Sequence, residues 1–406
     1  MRVLFTTFPS PSHLNPMVPL IWACRTAGHE VLVASTPALS DAIVAAGLPA
    51  VAVGADRDPG QTWRNPKLSG WHDQARWPDD WPVRPHVLDV AQRDLLSNLG
   101  RQQCVTADAM LDDLVAVGRA WWADLVVHDA VSFAGPVAAA VLGVPSVSSL
   151  WGSPGLQRLE MADLDARPLP EYEALYARFG VPVRLWPTAW VDPCPPSLNL
   201  PGPVEPLSMR YVPYNGSTPT PPWATRPPAA RPRVCVTWGA TSAKFLGNAA
   251  AEPVRQAVLA AAGLDVEVVV ATTDTQRPLL DDLAGPRVRV AERVPLHRLL
   301  PTCAAVVHHG GSGTALTAAG HAVPQLTVTR RPEPTLNGVM VAHAGAGINR
   351  MVAEVPAGDD GVALLRTDLR ALLDEEGYRK AAGAVRDEMA RQPPPSALVP
   401  ALAALI

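Results

Sequence analysis

The sequence predicts an α/β protein of two doubly wound domains, each built on a parallel sheet. Three observations carry this. Short apolar, β-branched runs alternate with helical patterns in both halves of the chain. The runs are nearly continuous in Val, Ile and Leu, as in strands buried on both faces. The rhythm stops between residues 193 and 232, where 13 of 40 residues are proline, and then restarts.

In the first half, "RVLFTTF" (2–8) reads as the opening strand. Residues 16–27 read as a helix, with Asn15 at its cap, Pro16 in its first turn and Gly28 just past its end. "EVLVAS" (30–35) is a second strand, Thr36-Pro37 opens another helix, and "PAVAVG" (49–54) is a third strand. "DLVVHD" (124–129), a helix near 132–142 and "PSVSSL" (145–150) complete a βαβ unit. The second half starts at "RVCVTWG" (233–239). "DVEVVVATT" (265–273), "RVRVAERV" (287–294), "AAVVHH" (304–309) and "PQLTVT" (324–329) follow as strands with helices between them. Proline lacks the N–H that a helix interior or a central strand requires, so the stretch between the halves is a stiff linker. The predicted organisation is an N-terminal domain over 1–195, a linker over 196–232 and a C-terminal domain over 233–380. A helical segment over 381–406 is expected to pack back on the N-terminal domain.

A length of 406 residues fits about two to three domains. Net charge is −4, which gives no electrostatic case for nucleic acid or an anionic membrane as partner. Five scattered cysteines (24, 104, 194, 235, 303) form no Cys-x-x-Cys pair, so neither a disulfide framework nor a zinc site is expected, and a reducing cytosol is the simplest setting. The chain begins in a strand pattern without the charged and apolar regions of a signal peptide, and no apolar run reaches membrane-spanning length.

Ligands of open α/β sheets bind outside the carboxyl ends of the strands. There the sequence places His13, Asp129, Thr237, Gly239, His308 and His309. His13, in "PSPSHLNP", is a candidate catalytic residue, though a lone loop histidine is more often a satisfied surface group. Asp129 is a candidate of the same kind, or it caps the helix near Ser132. "HHGGSGT" (308–314) is neither a Walker loop, having no Lys after the glycines, nor the Gly-x-Gly-x-x-Gly fingerprint. Gly310, Gly311 and Gly313 let backbone N–H groups approach a ligand, Ser312 and Thr314 add hydroxyls, and a helix begins there with its positive end toward whatever binds. The alternative is a structural tight turn. Trp63, Trp71, Trp77 and Trp81 crowd the loop-like segment 56–86. They line a large apolar ligand site or anchor the loop by packing.

"HHGGSGT" with "VPQ" (323–325) resembles the nucleotide-sugar signature of the family 1 glycosyltransferases of GT-B fold. More narrowly, the chain resembles the actinobacterial enzymes that attach deoxysugars to macrolides and aromatic polyketides in antibiotic biosynthesis. "MRVLFTTF…SHLNPMVPLIWACRTAGHEV", "HDAVSFAGPVAAAVLGVPSV" and "VPLHRLLPTCAAVVHHGGSGT" carry the likeness over nearly the whole length. The resemblance implies two Rossmann-like domains facing across a cleft, with the acceptor on the first and the sugar nucleotide on the second. It implies His13 as general base with Asp129 as its partner. It assigns the diphosphate to His309, Gly310, Gly311, Ser312, Gly313 and Thr314, with Thr237, Trp238, Gly239 and Thr241 beside it, and the base to the backbone at Val294. The acceptor falls to Trp63, Trp71, Trp77, Trp81 and Trp151. The co-substrate is a dTDP-sugar, with no cofactor and no metal, since no Asp-x-Asp motif lies near the donor loop. A separate activator protein or a homodimer is compatible with the type.

Two departures stand out. Glu333 and Pro334 occupy the places where the family often has Asp-Gln to hold sugar hydroxyls. That fits a deoxygenated or aminated sugar better than glucose. Ser12 precedes the histidine where many relatives have Gly. A non-catalytic sugar-nucleotide-binding or helper protein is the alternative on the same fold. An epimerase or nucleotide-sugar hydrolase would need other acid and base residues in the cleft.

Overall fold

Alternation along single strands explains why each sheet of this protein is covered on both sides. In β1 (Arg2–Thr6), Val3 and Phe5 point into one apolar cluster and Leu4 into another, and all three are fully buried. Each such side chain contributes about 1.5–3 kcal/mol by leaving water. The structure is a computed structural model and describes residues 1–57, 65–68, 70–72, 74–155, 159–228, 230–239 and 248–406.

Besides β1, the first sheet holds β2 (Glu30–Ser35), β3 (Ala50–Ala52), β4 (Leu125–Asp129), β5 (Ser146–Ser149), β6 (Ala189–Asp192) and β7 (Leu207–Ser208). Its order is β3-β2-β1-β4-β5-β6-β7. The second holds β8 (Arg233–Thr237), β9 (Glu267–Thr272), β10 (Val288–Glu292), β11 (Ala305–His308), β12 (Gln325–Thr329) and β13 (Gly347–Met351), ordered β10-β9-β8-β11-β12-β13. Every pairing between these strands is parallel. The two doubly wound sheets that the sequence predicts are present.

Local differences have physical causes. The first helix does not run from 16 to 27. The chain leaves Ser10 extended, turns once through Pro11–Leu14, and only then forms Val18–Thr26. Pro11 at the first helical position has no N–H to lose and a φ already suited to the turn. His13 therefore rides on a helical turn. Within the Pro-rich stretch, Leu207–Ser208 adds a two-residue strand at the sheet edge, where a neighbouring proline costs no ladder bond. A 32-residue helix, Val90–Trp121, covers one face of the first sheet. Asp89 and Gln92 cap each other at its start.

The end of the chain is divided between the domains. Helix Glu376–Arg391 packs Ala382, Val385 and Met389 against Leu316 and Ala319 of the second domain. Helix Pro395–Ala403 returns to the first, burying Leu398, Val399 and Leu402 with Val18 and Ile21. No helix among the described residues is long and apolar enough to cross a membrane.

Candidate active site

Strand order reverses once in each sheet, between β1 and β4 and between β8 and β11. Open α/β sheets bind ligands at such points. The two crevices share one cleft: Ser153 of the first domain lies 2.9 Å from the Ser312 hydroxyl and donates to Glu333 Oε1 at 2.7 Å in the second.

On the first wall, His13 Nδ1 lies 3.1 Å from Asp129 Oδ1. Asp129 ends β4 and is buried. Its carboxylate also accepts from the backbone N–H of Phe8 at 2.6 Å and of Val131 at 3.1 Å. Burial alone pushes this carboxyl up, but His13 and these hydrogen bonds outweigh it and hold it below the usual range. An ionised carboxylate only accepts, so the Nδ1–H of His13 donates to it. Phe8 and Trp151 hold the imidazole between them, with ring centroids at 5.1 and 5.2 Å.

On the second wall the paired histidines do different things. His308 ends β11, fully buried. Its Nδ1 accepts from Gly310 N–H at 3.1 Å and its Nε2–H donates to Gln325 Oε1 at 2.9 Å. Gln325 in turn donates to Ala315 O at 3.2 Å. Burial pulls His308 down to about 4, so it is a neutral brace beneath the glycine turn. His309 is partly exposed and lies between two glycines. A Cβ at Gly239 would sit 2.6 Å from its Cε1, and one at Gly311 2.7 Å from its Nε2. Burial, then His308 and Arg331, bring His309 down to about 3. Its Nδ1 is buried without a protein partner among the described residues. An anion against this ring would favour the protonated form.

Gly310 has φ +84°, and a Cβ there would meet Pro334 O at 2.4 Å, so no side chain fits. Helix Ser312–Gly320 begins at Gly311 with no side-chain cap among the described residues, which leaves first-turn N–H groups for a ligand. Thr314 lies in that turn, and Gly313 O accepts from the Tyr211 hydroxyl at 3.2 Å. Thr237 ends β8 beside His308, and Trp238 is buried in the second domain's core. Val294 is buried just past β10, after the left-handed Arg293 (φ 51°). Thr241 lies outside the described residues. Glu333 and Pro334 open helix Pro332–His343. Glu333 Oε1 accepts from Ser153, from Ser312 at 3.0 Å and from Asn337 at 3.4 Å.

The tryptophans divide. Trp81 and Trp151 line an apolar pocket with Phe133, Leu150, Trp190 and Leu336. Trp71 and Trp77 sit behind it in a buried cluster with Trp81, Leu96, Leu336 and Met340, stacked edge-on at 6.5 and 5.2 Å. Because Leu336 and Met340 belong to the second domain, this cluster also joins the two domains. Trp63 lies outside the described residues.

With this geometry in view, residues 22–239 match the N-terminal domain of the erythromycin biosynthesis protein CIII-like family, and residues 255–405 match its C-terminal domain. The chain belongs to this family. It is a glycosyltransferase of GT-B fold. It is 38% identical over 430 residues to aklavinone 7-beta-L-rhodosaminyltransferase of Streptomyces galilaeus, covering 99% of this chain and 95% of that one. It is 36% identical over 431 residues to 10-deoxymethynolide desosaminyltransferase of Streptomyces venezuelae, covering 99% and 96%. Among solved structures it resembles glycosyltransferase VinC in complex with dTDP, with TM-score 0.81, 32% identity and coverage of 100% and 99%.

Several cleft residues of this glycosyltransferase had no motif to announce them. Ser153 and Glu160 lie in the loop after β5, and Arg331 and Asn337 flank Glu333. Asn337 donates to Gly310 O at 2.8 Å and holds the glycine turn. A polar residue one helical turn after Glu333 was the only available signal for it. Among the described residues no three His, Cys, Asp or Glu side chains gather as a metal-binding group.

Proposed function

We propose that this glycosyltransferase moves a deoxysugar from a dTDP donor to a hydroxyl of a polyketide-type aglycone, with inversion and without a metal. The reading rests on one arrangement: a His–Asp pair on one wall of the cleft and a glycine-rich helix start on the other. The acceptor oxygen attacks the anomeric carbon as His13 Nε2 takes its proton. The bond from that carbon to the β-phosphate oxygen breaks, and the electron pair leaves on the diphosphate. Charge building there is met by first-turn N–H groups of helix Ser312–Gly320 and by His309, whose ring N–H donates a hydrogen bond to it. Asp129 stabilises the imidazolium on the acceptor side. The dTDP held by VinC and the aminodeoxysugars in the relatives' names support the choice of donor. The apolar pocket at Trp81 and Trp151 supports a large, weakly polar acceptor.

The test is acceptor-dependent release of dTDP from dTDP-deoxysugars against a panel of polyketide aglycones, with the product anomer read by NMR. Inverted product and tighter calorimetric binding of dTDP than of UDP are expected. Retained anomeric configuration, or donor hydrolysis without an acceptor, would sink the reading.

A further inference from the structure

The loop after β5 joins the two walls of the cleft. It leaves the sheet where Leu150 N–H donates to Val191 O at 2.9 Å. It is fixed again at Gly155, whose N–H donates to Asn199 Oδ1 at 2.8 Å. Asn199 is held in turn, since its side-chain N–H donates to Oδ2 of the buried Asp192 at 2.7 Å. Between these anchors, three consecutive residues each meet a different group. Trp151 packs edge-on against the His13 ring, with centroids at 5.2 Å. Gly152 lies against helix Ser312–Gly320 of the second domain. Its backbone is left-handed (φ +91°), and a Cβ there would stand 2.2 Å from Leu316 Cδ1. Leu316 is buried, so the helix reaches the loop because residue 152 has no side chain. Ser153 meets the same face of that helix one turn earlier. Its hydroxyl lies 2.9 Å from that of Ser312 and donates to Glu333 Oε1 at 2.7 Å.

Ser153 also accepts. The indole N–H of Trp151 donates to Ser153 Oγ at 2.7 Å. A hydroxyl carries one proton, and with that proton directed at Glu333 the lone pairs of Ser153 Oγ are left for the indole. The ring that packs on His13 is therefore fixed by a group whose own orientation is set from the second domain. Both contacts of the loop with that domain fall on the helix whose start faces the diphosphate. We propose that Ser153 is a positioning residue for His13: it fixes the Trp151 ring against the imidazole while helix Ser312–Gly320 is docked on the loop, so that the base is set when the nucleotide side of the cleft is in place. This deepens the reading of His13 as base and of the helix start as the dTDP cradle, and it rests on that reading.

The test follows Trp151 and His13 by NMR, in protein isotope-labelled at tryptophan and histidine, without dTDP and saturated with it. In wild type, dTDP should move the Trp151 indole N–H resonance and the His13 ring resonances together. Ser153→Ala removes the hydroxyl, whereas Trp151→Phe keeps a ring beside His13 and removes its N–H. In both variants dTDP should still bind by calorimetry, and the His13 resonances should no longer move with it. With donor and acceptor present, Ser153→Ala should lower kcat by about 10- to 100-fold, the worth of one hydrogen bond to a carboxylate, with a much smaller change in KM for the donor. A merely structural serine would lower Tm and leave the link between dTDP and His13 intact. If dTDP leaves the His13 resonances of wild type unmoved, or moves them equally in Ser153→Ala, the proposal is overturned. A kcat for Ser153→Ala equal to that of wild type would overturn it as well. Failure of the wild-type protein to bind dTDP at all would instead overturn the underlying functional reading.

Discussion

The two crevices of this protein occupy the same topological position and have opposite construction. In the first domain the loop after β1 and the end of β4 carry long side chains, and these meet as the His13–Asp129 pair. In the second, the loop after β8 and the end of β11 carry Gly239, Gly310 and Gly311, which withdraw so that the His309 ring and a helix start are bared. Asp129 and His309 correspond: each lies where the sheet's fourth strand by position gives way to its loop. One fold position thus holds a hydrogen-bonded His–Asp pair or a glycine-lined helix start, according to whether neighbouring residues have a Cβ. That is the sense in which function is grafted on a fold.

The comparison can be broken most decisively at His13. His13→Ala should lower turnover by about 10²- to 10⁴-fold while calorimetry gives an unchanged affinity for dTDP. Turnover near wild type would remove the histidine from the chemistry. Gly311→Ala tests the opposite wall. The new methyl group drives the His309 ring from its slot, and dTDP binding should weaken by about tenfold or more, the loss of one charged hydrogen bond. Unchanged dTDP affinity would mean that the glycines serve the turn and not the ligand.

His308 gives the smallest and most specific effect. Its folded pKa, about 4, lies below the ordinary value of about 6.5. Between those values the unfolded chain binds a proton that the folded chain refuses. The neutral brace therefore contributes in full above about pH 6.5, and stability falls by about 1.4 kcal/mol per unit as the pH drops toward 4. His308→Gln should lose part of the decrease in Tm between about pH 7 and pH 5, whatever its stability at neutral pH. An equal decrease in both proteins would contradict the burial argument.

Most of the architecture was legible because buried parallel strands are written as uninterrupted apolar runs. "EVLVAS" and "RVCVT" could hardly be anything else. β13, "GINRM", was not legible, because three of its five residues are only half-buried and polar residues interrupt the run. The motif-bearing walls of the cleft were readable from His13 and "HHGGSGT", since strand-to-helix junctions with glycine or proline have few meanings. The pocket between them was not. Glu160, Ser153 and Trp81 come from loops without period, and only tertiary packing brings them together. The tryptophan segment shows the same limit: composition marked four indoles as unusual, but could not say which ones line the pocket and which ones hold the domains together.

The closing helix also constrains how the molecule is made. Leu398, Val399 and Leu402 complete the apolar layer under β1, although about 190 residues of chain intervene between the end of the first sheet and this helix. A cut at the proline-rich stretch would not give two self-sufficient halves, because the first would lack part of its own core. Synthesis runs from the N-terminus, so the domain that emerges first waits, with that face uncovered, until the other has been made. The first half of the chain to be translated is the last to be finished.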